Sequence, residues 1–237
     1  MEYPIRFLEK YLDYHLFSCK EIDSTNDYFK REGKHFPSPS VLMADYQTKG
    51  RGRYIRKWEG GNKDLLFSII TDKKVRYEVL MPVAIMMATR KYHLPTFIKW
   101  PNDIYIEDRK LSGILIEQIY EGESFGFQII GVGINFTKKE SLQSAGIEEF
   151  TGALDKYSLL KEILDTLEEI KKLPFEQMMQ TYTNNNLIYN REIHYQEENY
   201  KVIGFTPEGH LLAENDYGRR IIQSDEIDIK KSMEARR

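Results

Sequence analysis

Phe125-Gly126-Phe127-Gln128-Ile129-Ile130-Gly131-Val132-Gly133-Ile134-Asn135-Phe136 is the stretch that separates two folds. An apolar strand running into Gly131-Val132-Gly133 opens like a dinucleotide-binding fingerprint, which then needs a third glycine and a helix whose N-terminus receives the phosphates. Phe136 stands at the third position and no helical periodicity follows, so that reading fails. There is no Gly-Lys-Ser or Gly-Lys-Thr phosphate loop either, so any nucleotide must be held by another scaffold. Upstream, Leu111 to Ile119 reads as a strand joined to Phe125–Phe136 by a turn at Glu121 to Ser124. Phe97 to Trp100 and Ile104 to Ile106 read as one strand broken around Pro101, with Glu107-Asp108-Arg109 turning the chain into Leu111. Short strands joined by tight turns make an antiparallel meander, so the fold class is α+β.

Further upstream lies the most unusual composition in the chain. Val41 to Gln47 reads as a strand, Asp64 to Thr71 as the apolar strand after it, and the connection begins Gln47-Thr48-Lys49-Gly50-Arg51-Gly52-Arg53-Tyr54-Ile55-Arg56-Lys57-Trp58. From Lys49 to Lys57 it carries five cations and no acid, with two glycines that let the backbone approach a ligand. Such a loop can wrap an anion. It holds no apolar residue between Gln47 and Tyr54, and Gly60-Gly61-Asn62 loosens its far end, so it is expected to be mobile until something folds it down.

The remaining segments frame these two. Residues 1–22 read as a short strand or irregular arm around Tyr14 to Ser18, too few for a helix-turn-helix with its own core. Ser24-Thr25-Asn26 opens a helix reaching about Arg31 and stopping at Gly33, with Ser24 or Asn26 as its cap. Glu78 to His93 carries Leu80, Val83, Met86 and Met87 at helical spacing, with Pro82 near its start. Ser158 is placed to cap a helix facing the core with Leu160, Leu164 and Leu167; Pro174 starts another with Phe175, Met178, Met179 and Tyr182 on one side. Thr183-Asn184-Asn185-Asn186 reads as a linker. Beyond it come closely spaced short strands, Glu192 to Gln196, Tyr200 to Phe205, His210 to Glu214, Arg220 to Gln223 and Ile227 to Ile229, with turns at Pro207-Glu208-Gly209 and Asn215-Asp216-Tyr217-Gly218. They suggest a small SH3-like barrel.

Composition narrows the function classes. At 237 residues, 41% hydrophobic and 30% charged, the chain suits a soluble globular protein that needs no disulfide. A net charge of −3 argues against a dedicated nucleic-acid binder, because the basic loop is a local feature. Cys19 is the single cysteine and reads as inert, and the five histidines have no metal-ligand spacing, so no protein-built metal site is expected. No apolar run reaches the length of a membrane span and the polar N-terminus is no signal peptide, which places the expected location in the cytosol.

Four blocks resemble, in order and rough spacing, the biotin protein ligases, also named biotin-[acetyl-CoA-carboxylase] ligases. They are Asp23-Ser24-Thr25-Asn26; Gln47 to Arg53 with Arg56 and Trp58; Lys99-Trp100-Pro101-Asn102-Asp103; and Arg109-Lys110-Leu111-Ser112-Gly113-Ile114-Leu115, with Gly131-Val132-Gly133-Ile134-Asn135 behind it. The resemblance is close over about residues 20–136. It implies a class II aminoacyl-tRNA synthetase-like catalytic domain over 1–184, with a mixed or antiparallel sheet and flanking helices, and an SH3-like C-terminal domain over 187–237. It also implies the monofunctional type, lacking an N-terminal DNA-binding domain, and a monomer or weak homodimer. The activity implied is formation of biotinyl-5′-adenylate from biotin and ATP, with Mg2+, then transfer of biotin to a lysine of a biotin carboxyl carrier protein; no DNA or membrane partner is implied.

The resemblance carries the site onto particular residues. Ser24, Thr25, Asn26, Gln47, Arg51, Gly52, Arg53, Lys110 and Gly113 would line the biotin pocket, where amide and hydroxyl groups suit a ureido ring that donates and accepts. Arg51, Arg53, Arg56, Trp58, Asn102, Lys110, Gly131, Gly133 and Asn135 would hold ATP or the adenylate, with Trp58 on the adenine. Adenylation brings a carboxylate against a phosphate, and two such charges at about 4 Å repel by roughly 4 kcal/mol at an effective dielectric near 20. Arg51, Arg53 and Lys110 are the cations matched to that task, and Asp103 is matched to the acceptor amine, so that Lys110, Arg53 and Asp103 form the catalytic set. Trp100 is either a flat face for a ligand or core. The chain departs from the family pattern at Ile55, where a glycine often stands, which bears on how fast the loop closes. A lipoate or octanoate ligase shares the fold and the carrier-lysine chemistry, but the polar set suits a ureido ring better than an aliphatic chain. A nucleic-acid-binding module is the reading from another class.

Overall fold

The computed structural model describes residues 3–54, 56–139 and 143–223, leaving Ile55 and the expected strand Ile227 to Ile229 outside the described residues. Two sheets make up the framework. The larger has eight strands: β1 (Arg6–Tyr11), β2 (Tyr14–Ile22), β3 (Ser40–Gln47), β4 (Leu65–Thr71), β5 (Thr96–Lys99), β6 (Asp103–Ile106), β7 (Arg109–Glu121) and β8 (Ser124–Ile134). Their order across the sheet is β1-β2-β3-β4-β8-β7-β6-β5. Only β2 and β3 run parallel, because helix α1 (Thr25–Glu32) carries the chain back between them; every other neighbouring pair is antiparallel. The sheet is therefore mixed, and the meander expected over 97–136 occupies one half of it.

The core sits on both faces, as the period of two along each strand requires. Val41, Phe67, Ile69, Ile130, Val132 and Ile114 point to one face and join the main core with α2 (Tyr77–Lys91) and α3 (Lys156–Ile170). Leu42, Ala44, Ile70 and Ile129 point to the other, where they meet Phe29 of α1 in a smaller cluster with Cys19 and Ile22. β4 lies between the two clusters, and all of its residues are buried. Helix α2 is sandwiched between sheet and helices, which explains why nearly its whole circumference is apolar; Pro82 falls in its second turn.

Several local expectations change. The short strand expected around Tyr14 to Ser18 lies within β2, and it is preceded by β1, which was not expected, so that residues 6–22 form a hairpin; β1 is exposed along most of its length because it is the sheet's edge. Phe97–Trp100 and Ile104–Ile106 are not one broken strand but the two arms of a hairpin, with Lys99 paired to Asp103. The cap of α3 is Asp155, whose carboxylate accepts from the Ser158 N–H at 2.7 Å, so Ser158 lies inside the first turn. Thr183 and Asn184 finish α4 (Phe175–Asn184), and Asn185 and Asn186 dock on edge strand β5: the Ile98 N–H donates to the Asn185 carbonyl at 3.0 Å, and the Leu187 N–H to Ile98 at 2.8 Å. The asparagine run is thus a hydrogen-bonded cover for a sheet edge and not a free linker.

After it, β9 (Glu192–Tyr195), β10 (Glu198–Phe205), β11 (Leu211–Asn215) and β12 (Gly218–Ile222) form an antiparallel four-stranded sheet in the order β12-β11-β10-β9. Its inner residues, among them Tyr200, Val202 and Leu211, continue the main core. The indole N–H of Trp100, which is 3% exposed, donates to the Gly209 carbonyl at 2.8 Å, and Phe205 meets Tyr182 edge-to-face at 5.1 Å. Trp100 is a tie between the two sheets.

Candidate active site

The pocket lies on the α1 face of the large sheet, and glycines make room for it. On β7 and β8, Gly113 and Gly133 face each other across the ladder, and Gly131 lies two residues before Gly133. These positions alternate away from the main core, so a side chain at any of them would fill the face where the pocket opens. A Cβ on Gly131 would stand 2.3 Å from Asn26 Oδ1, and one on Gly133 2.3 Å from the Trp58 ring. One on Gly113 would stand 2.9 Å from Trp58 and 3.2 Å from Lys110 Nζ. The glycines let Asn26 and Trp58 lie directly on the strands.

The result is a cleft of about 270 Å³. Its lining includes Ser24, Thr25, Asn26, Gln47, Arg51, Gly52, Arg53, Arg56, Trp58, Asn102, Asp103, Lys110, Gly113, Gly131 and Gly133. Four sequence blocks converge because α1 begins, β3 ends and β7 starts at the same end of the sheet, while the short β6 brings the β5–β6 turn back beside Gly113 and Ile114.

One wall is a buried polar chain. Ser24 caps α1 by accepting from the Asp27 N–H at 3.4 Å, which leaves Thr25 and Asn26 in the first turn, both almost fully buried. The Thr25 N–H donates to Gln47 Oε1 at 2.8 Å. Ser68 Oγ of β4 lies 2.6 Å from both Thr25 Oγ1 and Asn26 Oδ1. The amide of Asn26 donates to Glu117 at 2.9 Å and to the Leu115 carbonyl at 3.3 Å.

The opposite wall is cationic. Lys110 Nζ is 2.7 Å from Asp103 Oδ1 and 5.5 Å from the centre of the Trp58 ring. Asn102 is fixed by its amide on the Ile114 carbonyl and by its own carbonyl, which accepts from the Ile114 N–H at 2.9 Å. Lys99, Tyr54 and Lys57 also line the cleft. Lys99 stands in the recognised Lys99-Trp100-Pro101-Asn102-Asp103 block and could have been read from its charge there.

The basic loop lines the cleft, and its two arms are paired as a hairpin. Arg51 and Lys57 form an antiparallel bridge, the Gly52 N–H donates to the Arg56 carbonyl at 2.9 Å, and the Trp58 N–H donates to Gly50 at 3.0 Å. These backbone bonds need no apolar side chain and give the loop a local fold that its composition did not announce. At the far end, Asp64 ties Gly60-Gly61 down: it is fully buried, accepts from the Gly61 N–H at 2.6 Å and the Phe136 N–H at 2.9 Å, and pairs with Lys139.

Asn135 is placed differently from its expected role. It is absent from the cleft lining; its amide donates to the Lys110 carbonyl and to Ser144 Oγ, each at 3.3 Å, so it supports the backbone behind Lys110. Gly131 and Gly133 do line the cleft, but Asn26 and Trp58 lie over them. Sequence reasoning missed Ser68 and Glu117. Glu117 is two and four residues beyond Leu115 and Gly113, hence on the same strand face, a signal that was legible.

Residues 18–135 match the model of the Biotin/lipoate A/B protein ligase family, and the chain belongs to that family. It is 32% identical over 175 residues to the bifunctional ligase/repressor BirA of Escherichia coli, covering 66% of this chain and 53% of that protein. It is 27% identical over 227 residues to BirA of Bacillus subtilis, covering 81% and 67%. The chain thus spans about half the length of the Escherichia coli relative. Among solved structures, the biotin protein ligase from Aquifex aeolicus in complex with biotin and ATP is 27% identical, with a TM-score of 0.72 over 90% of this chain and 97% of that one.

Proposed function

We propose that this chain is an ATP-dependent biotin–protein ligase that forms biotinyl-5′-adenylate and transfers the biotinyl group to a lysine of a biotin carboxyl carrier protein. The observation that carries the reading is the convergence of a buried amide and hydroxyl wall with Arg51, Arg53, Arg56 and Lys110 in one cleft. A ureido ring and a phosphate need these two surfaces together. Similarity to a biotin protein ligase holding biotin and ATP supports it.

In the first step a biotin carboxylate oxygen bonds to the α-phosphorus and pyrophosphate leaves with the electron pair of the broken bond. Thr25, Asn26 and Gln47 hold the ring, while Lys110, Arg51 and Arg53 offset the charge gathering between carboxylate and phosphate. In the free protein Lys110 is held by Asp103. When Lys110 turns to the phosphate, Asp103 is released to face the acceptor amine, which attacks the acyl carbon as AMP departs; the amine proton passes to Asp103 or to water. The carboxylate is therefore uncovered once the adenylate is in place.

Mg2+ fits this site only as an escort of ATP. Among the described residues no three His, Cys, Asp or Glu side chains gather as a metal cage, and Asp103 is the one carboxylate lining the cleft. When bound, the ion would neutralise phosphate charge and would be held by the phosphates themselves.

The finer architecture belongs to the same proposal: a class II aminoacyl-tRNA synthetase-like catalytic domain over 1–184 and an SH3-like domain over 187–237, supported by the four-stranded antiparallel meander of β9–β12. A monomer or weak homodimer working in the cytoplasm without DNA suits a chain of net charge −3 in which no described helix is long and apolar enough to cross a membrane. Pyrophosphate exchange into ATP tests the function. Biotin should support exchange, and lipoate and octanoate should not; exchange with lipoate alone would transfer the chain to the other branch of the family.

A further inference from the structure

Beside the first arm of the hairpin loop, Arg51 joins a cluster of three charged residues that the chemistry above does not use: Lys30, Asp27 and Glu117. Glu117 of β7 accepts from Lys30 Nζ at 2.6 Å, from the Asn26 amide at 2.9 Å, and from Arg51 Nη2, which is 3.1 Å from each of its carboxylate oxygens. Arg51 Nη2 also meets Asp27 Oδ1 at 2.7 Å. Glu117 thus touches both halves of the cleft: the polar floor through Asn26, and the root of the cationic loop through Arg51.

The geometry points to Glu117 as the positioning residue that couples the floor of the cleft to its loop. Arg51 opens the hairpin, one residue after Gly50 and bridged to Lys57, so fixing its guanidinium fixes the base of both hairpin arms. Its Nε is buried without a partner, while Nη2 is shared by two carboxylates. The carboxylates therefore orient the group by one nitrogen and leave another without a bond, as expected of a cation prepared for an anionic ligand. The same carboxylate draws the Asn26 amide nitrogen toward β7, which turns the Asn26 oxygen to Ser68 and sets the donor and acceptor pattern of the floor. A ligand that engages the floor and one that engages Arg51 both meet groups that Glu117 already holds in place.

This assignment deepens the ligase reading in its ligand-affinity part and rests on it there; the anchoring of the loop stands without any ligand. The test follows from how trypsin cuts. Cleavage after Arg51 requires the guanidinium to leave Glu117 and Asp27 and enter the protease, so the rate in the ligand-free full chain reads the anchoring directly. Glu117→Gln keeps an acceptor for Asn26 and removes the charge; cleavage between Arg51 and Gly52 should rise about fivefold, while cleavage after the lysines of α3 stays at the wild-type rate. Asp27→Asn, on the partly exposed face of α1, should raise the same cut by a smaller factor and provides a second reading if the first variant folds poorly. Biotin affinity should fall about tenfold in Glu117→Gln, and less in Asp27→Asn, which does not touch Asn26. Wild-type cleavage after Arg51 in both variants would overturn the proposal, as would a biotin affinity loss with no change in that cut. Failure of biotin to bind the wild-type protein would instead count against the ligase reading, and the ligand-free comparison would still decide the role of Glu117.

Discussion

Replacing Lys110 by alanine removes a charge that stands on one wall of the cleft, and the structure fixes what is left behind. A cation about 4 Å from the α-phosphate contributes roughly 4 kcal/mol at an effective dielectric near 20. Because the Lys110 side chain is one-third exposed, water screens part of this, and about 2–3 kcal/mol is the reasonable share. At 1.36 kcal/mol per decade that slows adenylation by about 30- to 150-fold. A second effect adds to it. Asp103, now 2.7 Å from Lys110 Nζ, loses its counter-ion and faces the phosphate, so the total loss should approach about 10³-fold. Lys110→Ala combined with Asp103→Asn should therefore adenylate faster than Lys110→Ala alone, a non-additivity expected of contacting charges. Single-turnover pyrophosphate release at saturating biotin and ATP measures both. A Lys110→Ala rate within about threefold of wild type would remove Lys110 from the reaction, and a double variant slower than the single one would refute the assigned geometry.

Asp103→Asn alone should leave adenylate formation largely intact and slow transfer to the carrier lysine by about 10²-fold, read by mixing preformed adenylate with a carrier domain across a pH series. Gly133→Ala puts a Cβ 2.3 Å from the Trp58 ring, which should cost about 1–3 kcal/mol, shift the near-ultraviolet signal of that tryptophan and weaken ATP binding. Gly152→Ala, whose Cβ would meet nothing within 4 Å, is the control and should be silent. The carboxyl of Glu117 is opposed by burial, but the hydrogen bonds from Lys30 and Asn26 and the charges of Lys30 and Arg51 outweigh it and hold its pKa below the ordinary 4.5. The stability it supplies is complete above pH 4.5 and is lost as pH falls through its lower folded value. Urea midpoints should therefore drop below pH 4.5 less steeply in Glu117→Gln than in wild type.

What could be read from the chain, and what could not, divides along physical lines. Blocks that combine an unusual composition with a backbone requirement were visible: Gly50 and Gly52 among arginines, Ser24 before a helix, and Gly131 and Gly133 on a strand each announce a local demand. The hairpin of the basic loop was not visible, because its bonds are between backbone groups that every residue carries and no side-chain pattern encodes them. Strand β1 was missed for a related reason: Arg-Phe-Leu-Glu-Lys-Tyr has no clean alternation, since an edge strand exposes most of its side chains. The asparagine run looked like a linker by composition, yet Asn185 and Asn186 bond the edge of β5, a use of turn residues that only the tertiary structure reveals.

Asn135 and Glu117 show how a correct strand can still mislead about a site. Both lie on or at the end of strands that were expected, and both carry polar side chains that bond to residues of the cleft or to their backbone. Asn135 follows a glycine-rich run, which suggested a ligand contact; its amide instead supports the Lys110 carbonyl. Glu117 follows an apolar run, and nothing in its immediate sequence neighbours sets it apart. Counting by twos from Gly113 through Leu115 places it on the pocket face, and a carboxylate on that face beside a loop of five cations has an evident partner. The motif residues of such a site can be read one at a time, but the residues that orient them are defined by which face they share. The face is therefore the unit in which supporting residues have to be sought, and the alternation that sends Ile114 and Ile116 to the main core is what turns Glu117 toward Arg51.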